Sequence, residues 1–184
     1  YERLKVELPK TSSPLGEDII GTFEEIKRQG YTKAVAIILS GGLSGSVNHI
    51  KLAAQGIEGL EVAVFDSKQG SIGIGAIALQ AAEYVKQGMR FEQLVEKVPN
   101  LIKNTKVFFC VETLEYLQKG GRIGLVSSIL GSALNLKPVL YINADGGISS
   151  DGTIRGRKKS FKMLVERMIS SLPEDVDYTL PVGI

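Results

Sequence analysis

Short apolar runs alternate with longer amphipathic segments along the first half of this chain. The runs at residues 34–39 and 61–65 contain few polar positions, as expected of strands that are buried on both faces of a sheet. Residues 13–30, 46–55 and 76–86 instead carry apolar side chains at helical spacing. We therefore predict repeated strand–turn–helix units, which favour an α/β fold with a mostly parallel sheet and helices on both faces.

The same alternation continues toward the C-terminus. Further helices are predicted at residues 91–104, 114–117, 125–134 and 159–172. Further strands are predicted at residues 106–111, 138–143 and 178–184, with a hairpin-like excursion at 148–150 between two glycine turns. We interpret residues 1–145 as one α/β domain without its N-terminal part, and residues 146–184 as the beginning of a second α/β domain.

Composition is that of a globular protein. Hydrophobic residues make up 43% of the chain and charged residues 23%, which argues against disorder. The formal net charge of +2 provides no overall field that would attract nucleic acid. No apolar run approaches the roughly 18 residues of a membrane span, and no signal peptide is recognisable. We therefore expect a cytoplasmic protein without stable membrane insertion and without a nucleic-acid partner.

Side chains suited to covalent or metal chemistry are few. Cys110 is the single cysteine and His49 the single histidine, so neither an internal disulfide nor a metal cluster is expected. Cys110 lies in an apolar run, where a cysteine is usually a small buried hydrophobe. His49 has no carboxylate or cysteine at a metal-ligand spacing. The sequence thus predicts no catalytic residue, no metal and no cofactor.

The segment SGGLSGS at residues 40–46 is the most informative stretch of the chain, because it follows the first predicted strand and opens a helix. Its glycines allow the backbone to approach a ligand closely, and its serines add hydroxyl groups. A helix that begins at the carboxyl edge of a parallel sheet directs free N–H groups at a carboxylate or phosphate. A plain serine-capped turn stays an equal alternative, and the motif matches neither a Walker loop nor a dinucleotide-binding loop.

Six short motifs follow one another between about residues 9 and 172. In chain order they are TSSP at 11–14, SGGLSG at 40–45, FDS at 65–67, TLEYLQKGGRI at 113–123, LKP at 136–138 and RGRKK at 155–159. Their order and spacing resemble the DegV family, the bacterial fatty-acid-binding proteins that serve as the lipid-carrying component of fatty-acid kinase. The resemblance implies a two-domain protein that holds a long-chain fatty acid, such as palmitate, in an apolar tunnel.

The resemblance also implies that lipid binding and phosphorylation are carried out by two different proteins. The binding protein would perform no chemistry itself, and a separate kinase component would phosphorylate the carboxyl group of the fatty acid. The resulting acyl phosphate would feed phospholipid synthesis. The expected partners are therefore a long-chain fatty acid and the kinase component, with no cofactor besides the bound lipid.

Carried over to this sequence, the family motifs place the carboxyl group against residues of the first two motifs: Thr11, Ser12, Ser40, Gly41 and Ser44. Gly41 stands where the family usually has serine, and Ser13 where it has glutamine, so the site would rely more on backbone N–H groups. Candidate walls of the tunnel are small or branched side chains, each of which is also compatible with an ordinary core: Ile72, Ile74, Ala76, Ile77, Leu125, Ile129, Leu130 and Leu134.

A glycine cluster and a basic run in the sequence lead to two further predictions. Gly70, Gly73 and Gly75 lie within six residues, which predicts a close approach to the ligand or to a neighbouring backbone. Four cations within residues 155–159 concentrate positive charge. We predict that Arg155 and Arg157 of this run, together with Arg122, dock the acidic or phosphate-bearing partner.

Two alternative functions remain open at this point. The first is an enzyme acting on a small phosphorylated or carboxylated metabolite at the glycine-rich strand ends, with Asp66 and His49 as acid and base. It lacks a lysine, cysteine or second histidine near the predicted strand ends. The second is a regulatory or interaction module whose basic loop contacts another macromolecule.

Overall fold

The computed structural model describes residues 2, 6–129 and 136–172. Its helices are α1 (Gly16–Arg28), α2 (Ser46–Gln55), α3 (Ile72–Lys86), α4 (Phe91–Asn104), α5 (Glu115–Lys119) and α6 (Arg157–Ser170), with a 3₁₀ helix at Gly124–Ile129. Its strands are β1 (Lys33–Ile38), β2 (Glu61–Asp66), β3 (Phe108–Cys110), β4 (Leu136–Ile142) and β5 (Ile148–Arg155).

Strands β1 and β2 form a parallel pair whose two faces are both covered by helices. The register runs from Lys33 opposite Glu61 to Ile38 opposite Asp66. Ala34 and Val62 pack with the buried side chains of α1, whereas Val35, Ile37 and Phe65 pack with those of α3 and α4. Burial on both faces explains why these strands read as uninterrupted apolar runs. The predicted strand–turn–helix units are confirmed in this part of the chain.

Strands β3, β4 and β5 form a separate antiparallel sheet in that spatial order. The prediction of a mostly parallel sheet is therefore right only for β1 and β2. A parallel connection needs a crossover of about a dozen residues, but β4 and β5 are joined by the short turn at residues 143–147. Gly146, at φ +84°, supplies the left-handed conformation in that turn. The described strands make up a mixed α/β fold with two small sheets.

Several predicted boundaries shift in the structure. The excursion at 148–150 is the start of the eight-residue strand β5, because the predicted turn at Asp151-Gly152 lies inside the strand. At this point the pairing of β5 with β4 shifts register between Pro138 and Leu140, and the resulting β-bulge accommodates Gly152. The predicted helix at 125–134 is a 3₁₀ helix up to Ile129. Residues 130–135 lie outside the described residues, as do residues 173–184 of the proposed C-terminal domain, which include the predicted strand at 178–184.

The proposed domain division at residue 145 falls in the turn between β4 and β5, which pair with each other. Nothing in the geometry of that hairpin assigns its two strands to separate units. The division into residues 1–145 and 146–184 stays a prediction.

Among the three clustered glycines, Gly73 alone packs closely on the rest of the molecule. A β-carbon built there would lie 2.6 Å from Cγ2 of Val107 and 3.1 Å from Cβ of Gln69. At Gly70 the nearest atom would be 3.4 Å away, an ordinary contact, and at Gly75 nothing lies within 4 Å. The close approach is thus made at one glycine, and against side chains instead of a neighbouring backbone.

We expect Gly73→Val to lower the free energy of unfolding by about 1–3 kcal/mol, because the buried site must shift to admit the side chain. Gly75→Ala, two residues further along α3 at a position with nothing within 4 Å of the added β-carbon, is the control and should raise stability by up to about 1 kcal/mol. Urea denaturation followed by circular dichroism measures both. A Gly73→Val protein as stable as the unsubstituted one would contradict the packing described.

Candidate functional site

The loops that follow β1 and β2 meet the β4–β5 turn at Ser40. This residue is fully buried. Its Oγ donates a hydrogen bond to the carbonyl oxygen of Gly146 at 2.8 Å and accepts one from the N–H of Gly42 at 3.1 Å. Its own N–H donates to the carbonyl oxygen of Gln69 at 2.9 Å. One serine therefore connects three loops that come from distant parts of the chain.

Glycines allow these loops to touch. A β-carbon on Gly146 would overlap Oγ of Ser40, and one on Gly42 would lie 2.7 Å from the carbonyl oxygen of Gly146. A β-carbon on Gly41 would lie 2.9 Å from a carboxylate oxygen of Asp66. Gly41 and Gly42 of the SGGLSGS segment are thus required for contact between loops of the protein itself.

Asp66, at the end of β2, accepts a hydrogen bond from the N–H of Gly41, which is one of the groups predicted to bind the ligand. Its Oδ1 accepts hydrogen bonds from the N–H of Gly41 at 3.1 Å and of Lys68 at 3.0 Å. Its Oδ2 lies 3.1 Å from Nζ of Lys68. Burial acts to raise the pKa of Asp66, but these hydrogen bonds and the Lys68 ammonium outweigh burial and lower the pKa. An aspartate held ionised is a poor proton donor near neutral pH.

Ser44 lies at the partly buried side of the same loop. Its Oγ lies 2.8 Å from Oγ of Ser46 and accepts the N–H of Ser46 at 3.2 Å, while its own N–H donates to the carbonyl oxygen of Ser40. The N-cap of α2 is Gly45, which supplies no side-chain cap. The hydroxyl pair and the uncapped first turn of α2 are therefore polar groups that a ligand can use.

The TSSP motif lies next to this loop. A β-carbon on Gly45 would lie 3.6 Å from Oγ of Ser13. Thr11 and Ser12, which precede Ser13, are exposed. The structure thus brings the first two predicted motifs close together at Gly45, with Thr11 exposed and Ser40 buried.

Lys68 lies at the same junction, although the sequence pattern predicts no lysine near the strand ends. Its Nζ reaches Oδ2 of Asp66 and lies 3.5 Å from the carbonyl oxygen of Asp145. Its backbone adopts φ +51°, a left-handed conformation that lysine rarely takes. In the sequence, Lys68 can be recognised by its position two residues after Asp66, where the predicted strand ends.

The six motifs also underlie a match along nearly the whole chain. A sequence model described as "Uncharacterised protein, DegV family" matches residues 1–181. The chain belongs to the DegV family. A DegV domain-containing protein of Clostridium acetobutylicum is 38% identical over 174 residues, which are 95% of this chain and 62% of that protein. The resemblance stated from the motifs is therefore confirmed.

Solved DegV structures have the same fold. A fatty-acid-binding DegV family protein of Thermus thermophilus has a TM-score of 0.84 at 32% identity, over 92% of this chain and 60% of that one. A stearic acid-binding protein of Eubacterium ventriosum has a TM-score of 0.82 at 29% identity, over 93% and 60%. This chain spans about 62% of the length of the curated DegV relative above.

An apolar cluster adjoins the glycine loop in this DegV chain. Leu43, between Gly42 and Ser44, packs against four buried side chains of α5, the 3₁₀ helix and the antiparallel sheet region: Leu114, Val126, Leu140 and Ile148. Leu125, beside Val126, is 74% exposed. The polar groups at Ser40 therefore lie next to apolar surface, part of which is open.

The predicted tunnel walls are found in different surroundings. Ile77 is only 1% exposed and belongs to the core, Ile72 is 50% exposed, and Ile74 and Ala76 are half-buried. The side chain of Ile129 lies outside the described part of the chain, as do Leu130 and Leu134. None of the described wall residues is among the side chains that pack at the cluster around Leu43.

A separate cavity of about 680 Å³ opens beside Lys68 and Gln69. Apolar side chains such as Val107, Phe108 and Tyr141 line it together with basic ones at Lys103, Lys106 and Arg167. None of the described wall residues lines this cavity. Its mixed lining differs from the apolar tunnel that the resemblance implies.

The three predicted docking arginines do not share one environment. Arg122 is half-buried, and its Nε donates to the carbonyl oxygen of Leu43 at 3.2 Å, so that it contacts the glycine loop itself. Arg157, at the start of α6, forms an ion pair with Glu112 and lies over the ring of Phe161. Arg155 is exposed at the end of β5.

Among the described residues, no helix combines the length and apolar character that a membrane span requires.

The single cysteine, Cys110, is half-buried, and its Sγ lies 3.8 Å from the carbonyl oxygen of Ser160. Burial raises the pKa of the Cys110 thiol, which disfavours the reactive thiolate. His49 is exposed on α2.

Proposed function

We propose that this chain is the main part of a protein that binds a long-chain fatty acid, with the carboxyl group at the junction of Thr11, Ser12, Ser40, Gly41 and Ser44. The observation that carries the proposal is the proximity of the TSSP motif to the SGGLSGS loop at Gly45. Structural relatives named for fatty-acid or stearic-acid binding support it.

Hydroxyl and N–H donors suit this ligand. They orient a carboxylate without a fully buried ion pair, which would require costly desolvation. In this proposal the apolar cluster at Leu43 contacts the first carbons of the chain. Burial contributes roughly 0.8 kcal/mol per CH₂ group, so the acyl chain supplies most of the affinity and the polar groups select its orientation.

The chain itself is proposed to be non-catalytic, with a separate kinase component phosphorylating the bound carboxyl group for phospholipid synthesis. Asp66, the acid of the alternative enzyme, is held ionised by Lys68 and Gly41. Cys110 has a raised thiol pKa, which disfavours a nucleophilic role. These observations favour a carrier over an enzyme that acts on a small metabolite.

The burial of Ser40 changes how the carboxyl site has to be tested. Ser40→Ala would leave the carbonyl oxygen of Gly146 and the N–H of Gly42 without their partner, which destabilises the protein by roughly 1–3 kcal/mol whether or not a ligand binds there. Thr11 is exposed, so its replacement tests binding without this complication.

We expect Thr11→Val to weaken palmitate binding about tenfold, because the isosteric side chain lacks the hydroxyl that hydrogen-bonds the charged carboxylate. The melting temperature of the ligand-free protein should not change. Thr32→Val, at an exposed threonine before β1, is the matched control and should bind normally. Isothermal titration with palmitate measures all three proteins. Equal affinities for Thr11→Val and the control would refute the assignment of Thr11.

We further propose that Arg155 and Arg157 dock the kinase component. They lie at the end of β5 and the start of α6, followed directly by Lys158 and Lys159, so that four exposed cations lie within five residues of the chain. Such a run attracts an acidic partner by long-range Coulomb forces. Arg122 is left out of the test, because its substitution would disturb the glycine loop through Leu43.

Replacing Arg155 and Arg157 together by glutamate should slow phosphorylation of bound palmitate about tenfold at low salt, with palmitate affinity unchanged. The rate with the unsubstituted protein should fall as salt is added, since salt screens exposed charges. Lys86→Glu, an equally exposed charge reversal on α3, is the control. A phosphorylation rate that is the same in the double variant and in this control would exclude a docking role.

A further inference from the structure

Lys68 runs alongside the hydroxyl group of Ser40. A β-carbon built on Gly146 would overlap Oγ of Ser40 and would lie 3.2 Å from Cδ of Lys68. Both side chains therefore flank the same point, with the Lys68 ammonium two bonds beyond its Cδ. That ammonium lies 3.1 Å from Oδ2 of Asp66 and 3.5 Å from the carbonyl oxygen of Asp145.

The loop holds Lys68 firmly in this place. Its N–H donates to Oδ1 of Asp66 at 3.0 Å, and its φ of +51° turns the backbone into the left-handed region. The side chain is 42% exposed. The backbone of Lys68 is thus fixed, whereas its ammonium is accessible and can exchange a weak carbonyl contact for a ligand.

Charge determines what this ammonium contributes. A carboxylate at Ser40 would lie near the ionised carboxylate of Asp66, and two like charges at short distance repel each other. The other cation that reaches this loop is Arg122, whose hydrogen bonds go to the carbonyl oxygens of Leu43 and Gly120. Lys68 is therefore the cation placed between Asp66 and the predicted ligand.

We propose that Lys68 is the specificity-determining residue of this site, which rests on the proposed carboxyl site at Ser40. Its ammonium leaves the carbonyl oxygen of Asp145 and pairs with the carboxylate of the bound fatty acid, while Asp66 keeps the backbone of Lys68 in place. Hydroxyl, N–H and ammonium groups can all hydrogen-bond an acid or an alcohol, but only the pair of ammonium and carboxylate adds attraction between two full charges. Lys68 accordingly makes the site prefer a fatty acid over an uncharged lipid of equal length.

The test compares palmitate with hexadecanol, which has the same chain length and no charge. At pH 8 and low salt, Lys68→Met should weaken palmitate binding about tenfold and hexadecanol binding less than twofold. Lys68→Arg should retain most of the preference for palmitate. Lys86→Met, at a lysine in the last turn of α3 whose side chain is 77% exposed, is the matched control and should leave both affinities unchanged.

Lys68→Gly is measured as well, because glycine accepts φ +51° without strain and so secures a folded protein without the ammonium. It should show the same loss of preference. Equal weakening of palmitate and hexadecanol in both variants, or no change in either, would overturn the proposal while leaving the carboxyl site intact. If the unsubstituted protein binds neither lipid, both the carboxyl site and the role of Lys68 are wrong.

Discussion

The hydrogen bond from the Ser40 hydroxyl to the carbonyl oxygen of Gly146 connects positions 106 residues apart in the chain. It joins the end of the parallel pair β1–β2 to the turn of the antiparallel sheet, and the N–H of Ser40 adds the loop after β2 through Gln69. A buried serine hydroxyl requires such partners, since an unpaired polar group is costly away from water. The glycines at 41, 42 and 146 follow from this contact, because side chains there would separate the loops.

The same junction brings together the groups from which we propose a carboxyl site. Ser13 of the TSSP motif lies close to Gly45, Leu43 packs against an apolar cluster, and the side chain of Lys68 runs past Ser40. Structural connection and ligand recognition would then use the same few residues. In that account a bound carboxylate competes with the carbonyl oxygen of Gly146 for the Ser40 hydroxyl, so that ligand binding removes a hydrogen bond from the β4–β5 turn.

The sequence predicts best those features that depend on local pattern. Burial on both faces makes β1 and β2 uninterrupted apolar runs, and the glycine and serine spacing after β1 marks the loop that Ser40 organises. The antiparallel sheet was not predicted, because strand direction depends on the five-residue turn after β4 and on pairing that no local pattern reports. Lys68 was overlooked for a similar reason: its proximity to Ser40 arises only when the loops after both strands meet.

We expect ligand binding to reach the β4–β5 turn through Ser40, and hydrogen exchange of the backbone amides measures this effect. Palmitate should slow exchange at residues 41–46, which it covers, and speed exchange at residues 146–148, which lose the Ser40 hydroxyl, with the same concentration dependence. The last turn of α3, which lies near Lys33 at the opposite end of β1, should exchange as before. Slower exchange at 41–46 with no change at 146–148, or no change in either segment at saturating palmitate, would contradict the account.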